Sequence, residues 1–159
     1  MAAVLALINV EKKITNKFCL QGLVNAWLQM DEITPSMLSK YGIQGNGFLS
    51  LNQLISFKWA YLPLQNQYLH ASNYTASPLR VNNNILSQVP PAIILTGAFD
   101  ILHDESIMYS KKLDIVKKLA SLHVYNQGHI FLAKPIFGGS DSTNAFKEII
   151  KSLNDHCFQ

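Results

Sequence analysis

Apolar residues along the chain form short blocks whose spacing alternates between that of strands and that of helices. Three blocks combine branched or aromatic residues with flanking turn residues, which predicts strands at Phe18–Trp27, Ala92–Phe99 and Leu122–Tyr125. The second block is apolar without interruption, and this is typical of a parallel strand that is buried on both faces.

Helical spacing occurs between and around these strands. The predicted helices are Met1–Val10, a segment around Leu51–Trp59, Glu105–Ser121 and Ser142–Leu153. Asp141 or Ser142 is the expected N-cap of the last helix. Because strands and helices alternate, we expect an α/β fold with a mostly parallel sheet of about three strands flanked by helices.

Length and composition favour a single domain over residues 1–159. Of the residues, 48% are hydrophobic and 14% are charged, which suffices for one core. No internal repeat and no long linker divides the chain. The segment 34–79 is rich in Ser, Asn, Gln and Tyr, and we expect it to be an ordered excursion between two strands.

The charges argue against a nucleic-acid partner, because 13 basic and 10 acidic residues are spread along the chain without a basic stripe. The apolar opening is shorter than a membrane span and has no signal-peptide cleavage pattern. Cys19 and Cys157 are too few and too far apart in sequence to predict a disulfide framework or a zinc site. We therefore expect a cytoplasmic protein in a reducing compartment, without a membrane span or a metal.

Two residues follow predicted strands, where open parallel sheets place functional groups. Asp100 ends the second strand, and His129 follows the third. A carboxylate that accepts a hydrogen bond from one imidazole nitrogen fixes the tautomer, so that the other nitrogen can take a serine proton. Spacing alone leaves two alternatives open, a helix-capping role for Asp100 and a structural role for His129.

Other candidate motifs carry weaker signals. His103 stands beside two acids but lacks the paired spacing of a metal site, so we expect a solvated first-turn residue. The glycine-rich segment 42–47 follows no strand and lacks the spacing of a phosphate loop. Six aromatic residues are candidates either for an acyl pocket or for a core: Trp27, Phe48, Phe57, Trp59, Tyr61 and Tyr68.

Four segments resemble, in order, parts of the hormone-sensitive-lipase-like esterases of the α/β-hydrolase fold. Thr96–Glu105 resembles their T-A/G-x-x-D-P-L-x-D-E segment, and Gly128–Phe131 resembles their H-G-F segment. Thr75–Leu79 resembles the Y-A-S-P-L stretch before the acid strand. Ala2–Leu7 resembles the helix that follows the family's G-D-S-A-G-G-N serine motif, so the similarity spans nearly the whole chain.

The resemblance implies that Asp100 is the acid and His129 the general base of a Ser-His-Asp triad in a carboxylic-ester hydrolase, an esterase or lipase without a cofactor. No Gly-x-Ser-x-Gly turn occurs in the 159 residues. The family's serine and its H-G-G-G oxyanion loop would both precede Met1. The chain thus resembles a truncated, C-terminal part of such an enzyme, and we expect it to be inactive alone.

The chain departs from the family pattern close to these two residues. Ile101 replaces a proline, His103 replaces a usual arginine, and Ile130 replaces the glycine after the histidine. The loop before His129 is also short. These changes lead us to expect a less regular placement of the imidazole.

The resemblance also has consequences for partners. The family's serine strand would pair with Phe18–Trp27, so its absence predicts an open edge that recruits a second copy or a separately encoded N-terminal half. The implied ligand is a small-molecule ester or acyl compound. Two alternative functions remain: a pseudoenzyme or binding module that keeps an apolar acyl-type pocket, and a degenerate product without function.

Overall fold

The computed structural model describes residues 1–14, 18–39, 42–43, 49–133 and 139–158. These residues contain a sheet of three parallel strands in the order β1-β2-β3. The strands are β1 Gln21–Val24, β2 Ala92–Gly97 and β3 Leu119–Tyr125. The expected fold, a parallel sheet of about three strands flanked by helices, is confirmed.

Seven helices are described around this sheet. They are α1 Ala2–Glu11, α2 Pro35–Leu38, α3 Leu51–Tyr61, α4 Gln67–Ala71, α5 Asn83–Leu86, α6 His103–Ile115 and α7 Ser140–Cys157, with a 3₁₀ turn at Pro78–Arg80. The segment between β1 and β2 holds α2 to α5. In this described part of the chain, no helix is both long enough and apolar enough to cross a membrane.

The central strand β2 separates two apolar layers. Every residue of β2 is buried. Ile94 packs with Leu7 of α1 and Leu113 of α6. Ile93 and Leu95 point to the other face, where they form a cluster with Phe131, which precedes α7, and with Ala145 of α7. Helices therefore cover both faces, which explains why β2 is apolar at consecutive positions rather than alternate ones.

Helix α6 is shorter than predicted, because the chain reverses after Ile115. Lys117 has a φ of 58°, in the left-handed region. The N–H of Lys118 donates to the carbonyl of Leu113 at 2.8 Å, a bond typical of a helix C-terminus. β3 then begins at Leu119, inside the segment predicted as helix.

The expected caps of α7 do not cap it, since Gly139 is its N-cap residue. Ser142 is buried, and its Oγ donates to the carbonyl of Phe131 at 2.5 Å. Asp141 accepts a hydrogen bond from Nε2 of Gln127 at 2.8 Å. Both side chains hold the loop after β3 instead of the helix N-terminus.

The aromatic residues predicted as core or pocket lie mostly at the surface. Phe57, Trp59 and Tyr61 of α3 are 54%, 56% and 60% exposed. Tyr68 is also exposed, whereas Trp27 is partly buried. Phe48 and most of the glycine-rich segment 42–47 lie outside the described residues.

The two cysteines form a disulfide, which corrects the expectation that they are too few and too far apart in sequence for a disulfide framework. Cys19 and Cys157 are separated by 138 residues, but their Cα atoms lie 5.3 Å apart. Helix α7 has 18 residues, a length of about 27 Å. It begins beside the loop after β3 and ends at Cys19, just before β1. Sequence separation did not reveal this proximity, because the helix crosses the sheet.

Glu105 fastens α6 to the segment after β1. Its side chain is fully buried, and Oε1 accepts a hydrogen bond from the N–H of Leu28 at 3.1 Å. Burial raises the pKa of Glu105 well above its usual value, and the charges of Asp100 and Asp104 add to this increase. Hydrogen bonds from the backbone of Leu28 and Gln29 oppose it.

We expect Glu105→Gln to flatten the pH dependence of stability. The folded chain holds the Glu105 proton more tightly than the unfolded chain, whose carboxyl has a pKa of about 4.5. Its contribution to the free energy of unfolding is complete below that pKa and is lost as the pH rises through the raised folded pKa. Urea denaturation at a series of pH values measures this.

The exposed Asp114→Asn on the same helix provides the control. Parallel stability curves for wild type and Glu105→Gln would contradict the raised pKa.

We expect the double variant Cys19→Ser, Cys157→Ser to lose about 2 to 4 kcal/mol of unfolding free energy, because its unfolded chain is no longer cross-linked. Chemical denaturation measures the loss. Dithiothreitol should destabilise the wild type equally and leave the double variant unaffected. A wild type that is indifferent to reduction would contradict the bond.

Candidate active site

Asp100 lies in the turn that joins β2 to α6. Its side chain is fully buried, and Oδ1 accepts a hydrogen bond from the N–H of Leu102 at 3.0 Å. Leu102 is the N-cap residue of α6. Asp100 thus orders the entry to this helix, as its helix-capping alternative suggests, and still presents its carboxylate to the edge of the sheet.

His129 reaches this carboxylate from the loop after β3. Its Nδ1 lies 3.0 Å from Oδ1 and 3.1 Å from Oδ2 of Asp100. An ionised carboxylate can only accept, so Nδ1 carries the proton in this pair. Nε2 is then the basic nitrogen of the neutral ring. The histidine side chain is 20% exposed, so the pair has one buried and one accessible member.

A close approach at Gly97 brings the two residues together. A Cβ atom at Gly97 would lie 2.3 Å from the carbonyl oxygen of Gln127 and 2.8 Å from that of Gly128. The N–H of Phe99 donates to the Gln127 carbonyl at 3.0 Å. The absence of a side chain at Gly97 therefore lets the loop before His129 lie directly against the end of β2.

Asn25 is a member of this site that the sequence analysis missed. It follows β1, is 8% exposed and has a φ of 44°. In the amide orientation that satisfies both neighbours, Nδ2 donates to Oδ2 of Asp100 at 3.1 Å, and Oδ1 accepts from the N–H of Ile130 at 3.0 Å. The sequence signal for Asn25 was its position as a polar residue near the carboxyl end of the first predicted strand, Phe18–Trp27.

The Asn25 amide also bears on the departure of Ile130 from the family pattern. Ile130 has a φ of 61°, which costs a branched residue about 1 to 3 kcal/mol. Its N–H is held by Asn25, and the preceding His129 still contacts Asp100. The missing glycine has therefore not separated the imidazole from the carboxylate.

The other charged residues near Asp100 have structural contacts. Nδ1 of His103 lies 3.1 Å from the carbonyl oxygen of Gly97, so this ring is half-buried rather than solvated. Asp104 Oδ2 accepts from the N–H of Ser36 at the start of α2, at 2.7 Å. Among the described residues, no group of three or more His, Cys, Asp and Glu side chains is placed to hold a metal ion.

We expect Asn25→Gly to release the Ile130 amide. Glycine tolerates the positive φ, so this change removes the two side-chain hydrogen bonds without adding backbone strain. The buried carboxylate of Asp100 and the N–H of Ile130 each lose a partner, which should lower the unfolding free energy by about 1 to 3 kcal/mol. Hydrogen exchange at Ile130 should accelerate, as NMR can measure.

Asn25→Asp provides the matched control, because its carboxylate still accepts from Ile130 but repels Asp100. It should keep slow exchange at Ile130. Equal exchange rates in wild type and both variants would show that Asn25 does not hold this loop.

Comparison with known proteins identifies the fold family of the chain. Residues 1–133 match the family model described as alpha/beta hydrolase fold. The mouse (Mus musculus) protein "Arylacetamide deacetylase-like 4 family member 1" is 26% identical over 90 residues, covering 54% of this chain and 22% of that protein.

Two esterase structures also superpose on the chain. The thermostable esterase from Pseudomonas putida is 26% identical with a TM-score of 0.66, covering 79% of this chain and 39% of its own. The esterase from Pyrobaculum calidifontis, at 23% identity and a TM-score of 0.80, covers 97% and 48% and supports the fold alone. The chain spans less than half the length of each of these relatives. It is an esterase-like member of the alpha/beta hydrolase fold family.

Proposed function

We propose that this chain supplies the acid and the base of a carboxylic-ester hydrolase whose nucleophilic serine lies outside these 159 residues. The observation that carries the proposal is the hydrogen bond between His129 Nδ1 and the Asp100 carboxylate, at 3.0 Å. This contact orders the imidazole as a general base requires. The similarity to the thermostable esterase from Pseudomonas putida, at 26% identity, supports esters as the substrate class.

The proposed reaction has two similar steps. Nε2 of His129 takes the proton of the serine hydroxyl as the serine oxygen attacks the ester carbonyl, and it then gives this proton to the departing alcohol. A water molecule is activated in the same way and releases the acid from the acyl-enzyme. In both steps Asp100 stabilises the imidazolium that forms. This role suits a carboxylate that is buried and held by both Leu102 and Asn25.

The chain alone should be inactive, because two parts of the machinery are outside it. In subtilisin, loss of the serine lowers turnover by about a millionfold. Donors that stabilise the oxyanion are worth about 3 kcal/mol each, and the family's oxyanion loop has no counterpart in this sequence. Without these groups, the ordered acid–base pair has no nucleophile to activate, and no donor stabilises the oxyanion.

The outer edge of β1 offers a place for the missing half. Gln21 and Asn25 direct their N–H groups to β2, where they meet the carbonyls of Pro91 and Leu95. Because alternate residues of a strand point their N–H groups in opposite directions, those of Gly22 and Val24 face away from β2. Nothing lies within 4 Å of where a Cβ on Gly22 would be. Such an edge can accept another strand.

Apolar surface around this edge supports the same partner. A groove of about 390 Å³ runs between α1 and β1, and Val4, Val24 and Trp27 line part of it. Tyr61 of α3 lines the same groove and is also exposed. Apolar surface of this kind marks an interface, and an N-terminal half with the serine strand would cover it. A second copy of this chain is the competing occupant.

A binding module with an acyl pocket is less well supported. The apolar cleft that Trp27, Met37 and Leu54 help to line has a volume of about 90 Å³. Pockets for small molecules usually have about 300 to 1,000 Å³. This cleft is therefore too small to serve as an acyl-type pocket.

The expectation of a cytoplasmic location rested on two cysteines that are far apart in sequence and on an apolar opening without a signal-peptide cleavage pattern. The disulfide between Cys19 and Cys157 removes the first of these premises.

We expect the chain alone to give no His129-dependent adduct with a fluorophosphonate and no ester hydrolysis. Adding the N-terminal half of a related esterase, including its serine motif, should restore labelling of that serine. Labelling should be lost with His129→Ala, because the serine then has no base. Intact mass measures the adduct, and hydrolysis of a p-nitrophenyl ester measures turnover.

Two edge variants test the binding surface. Gly22→Pro removes an outward N–H of β1 without touching the β1–β2 pairing, and should prevent binding of the half. Val124→Lys on the opposite edge strand β3 should not. A His129-dependent adduct on the chain alone, or a folded chain that never binds the half, would overturn the proposal. Self-association that Gly22→Pro abolishes would instead identify a second copy as the occupant.

A further inference from the structure

The loop between α4 and the 3₁₀ turn contains the triplet Asn73-Tyr74-Thr75, the single Asn-x-Ser/Thr sequence in the 159 residues. This pattern, with any residue except proline in the middle, is the acceptor for N-linked oligosaccharides. Such acceptors must lie on an accessible loop. Asn73 meets this condition, because its side chain is exposed between two helical segments.

The local geometry presents the reactive atom of Asn73. Its Oδ1 accepts hydrogen bonds from both the N–H of Thr75, at 2.9 Å, and the hydroxyl of Thr75, at 2.8 Å. The amide oxygen is thus directed into the loop. Among the described residues, no group forms a hydrogen bond with Nδ2, the nitrogen that would carry the sugar. The N–H and the hydroxyl of Thr75 therefore fix the orientation of the Asn73 side-chain amide.

The loop is fixed at the surface by its own contacts. The carbonyl of Asn73 accepts from the N–H groups of Ala76, at 2.9 Å, and Ser77, at 2.7 Å. The hydroxyl of Tyr74 donates to the carboxylate of Glu11 on α1. Thr75 and Ala76 help to line the groove between α1 and β1, but Asn73 does not. An oligosaccharide on Asn73 would therefore project from the rim and leave the groove open.

A second, independent observation indicates the compartment in which this modification occurs. Cys19 and Cys157 are paired, although Cys19 is solvent-exposed and would meet the reductants of a cytosol. Disulfides form and persist in oxidising environments such as the lumen of the secretory pathway. The enzymes that attach N-linked oligosaccharides act in that lumen, so the acceptor triplet and the disulfide indicate one location.

We propose that Asn73 carries an N-linked oligosaccharide and that the chain matures in an oxidising lumen. This proposal is independent of the hydrolase function, because it uses neither Asp100 nor His129. In the transfer, Asn73 Nδ2 forms a bond to the first sugar's anomeric carbon. The bond from that carbon to a polyprenyl diphosphate breaks, the diphosphate leaves with the electron pair, and the amide proton passes to a base of the transferase.

The disulfide forms in the same compartment by exchange. The two thiols of Cys19 and Cys157 lose two protons and two electrons, and the disulfide of an oxidoreductase is reduced to its dithiol.

The direct test uses the protein isolated from its own cells, with free thiols blocked at lysis. Peptide-N-glycosidase treatment in heavy-oxygen water should leave a labelled aspartate at position 73. The untreated protein should yield the peptide pair joined through Cys19 and Cys157. An unmodified Asn73 would overturn the proposal, and free thiols at both cysteines would overturn the compartment on which it rests.

Variants separate the acceptor triplet from other sources of mass. The full chain is expressed in animal cells behind a cleavable secretion signal and examined by intact mass. Thr75→Ala and Asn73→Gln should lose the added mass completely, whereas Thr75→Ser keeps a hydroxyl and should retain it. The readout needs no activity and no folded product. Equal masses for wild type and Thr75→Ala would overturn the proposal.

Discussion

The parallel pairing of β2 with both of its neighbours is the constraint on which the site depends. Parallel strands end at the same edge of a sheet, so the residues that follow β1, β2 and β3 meet there. Asn25, Asp100 and His129 are those residues, one from each strand. The close contact at Gly97 then sets the separation of the last two. A one-residue shift of either neighbouring strand would move a partner away from Asp100.

The acid and the base of the candidate site are held in place to different degrees. The acid is buried and held by three groups, while the base is partly exposed and attached to a loop with a strained residue, Ile130. This asymmetry fits a base that must still meet a nucleophile from elsewhere. Among the described residues, the outer edge of β1 is not paired with another strand, and an apolar groove lies between β1 and α1. The chain therefore leaves both this edge and the imidazole of His129 accessible.

Sequence analysis recovered the parts of the fold that depend on local pattern. The apolar run of β2, the helical spacing of α3 and the residues after β2 and β3 all follow from neighbours in the chain. Asp100 and His129 are brought together as the triad hypothesis requires, while their catalytic roles stay predictions. Long-range geometry was missed. Asn25 belongs to the site only through its hydrogen bonds with Asp100 and Ile130, which follow the other two strands. Cys19 meets Cys157 only because α7 crosses the sheet.

The disulfide has a consequence beyond local stability. It closes the chain from residue 19 to residue 157 into one covalent ring that includes all three strands and both members of the acid–base pair. A protease that cuts a surface loop anywhere within this ring opens it but releases no piece. The nicked protein stays a single molecule, and its strands keep the same neighbours to re-pair with.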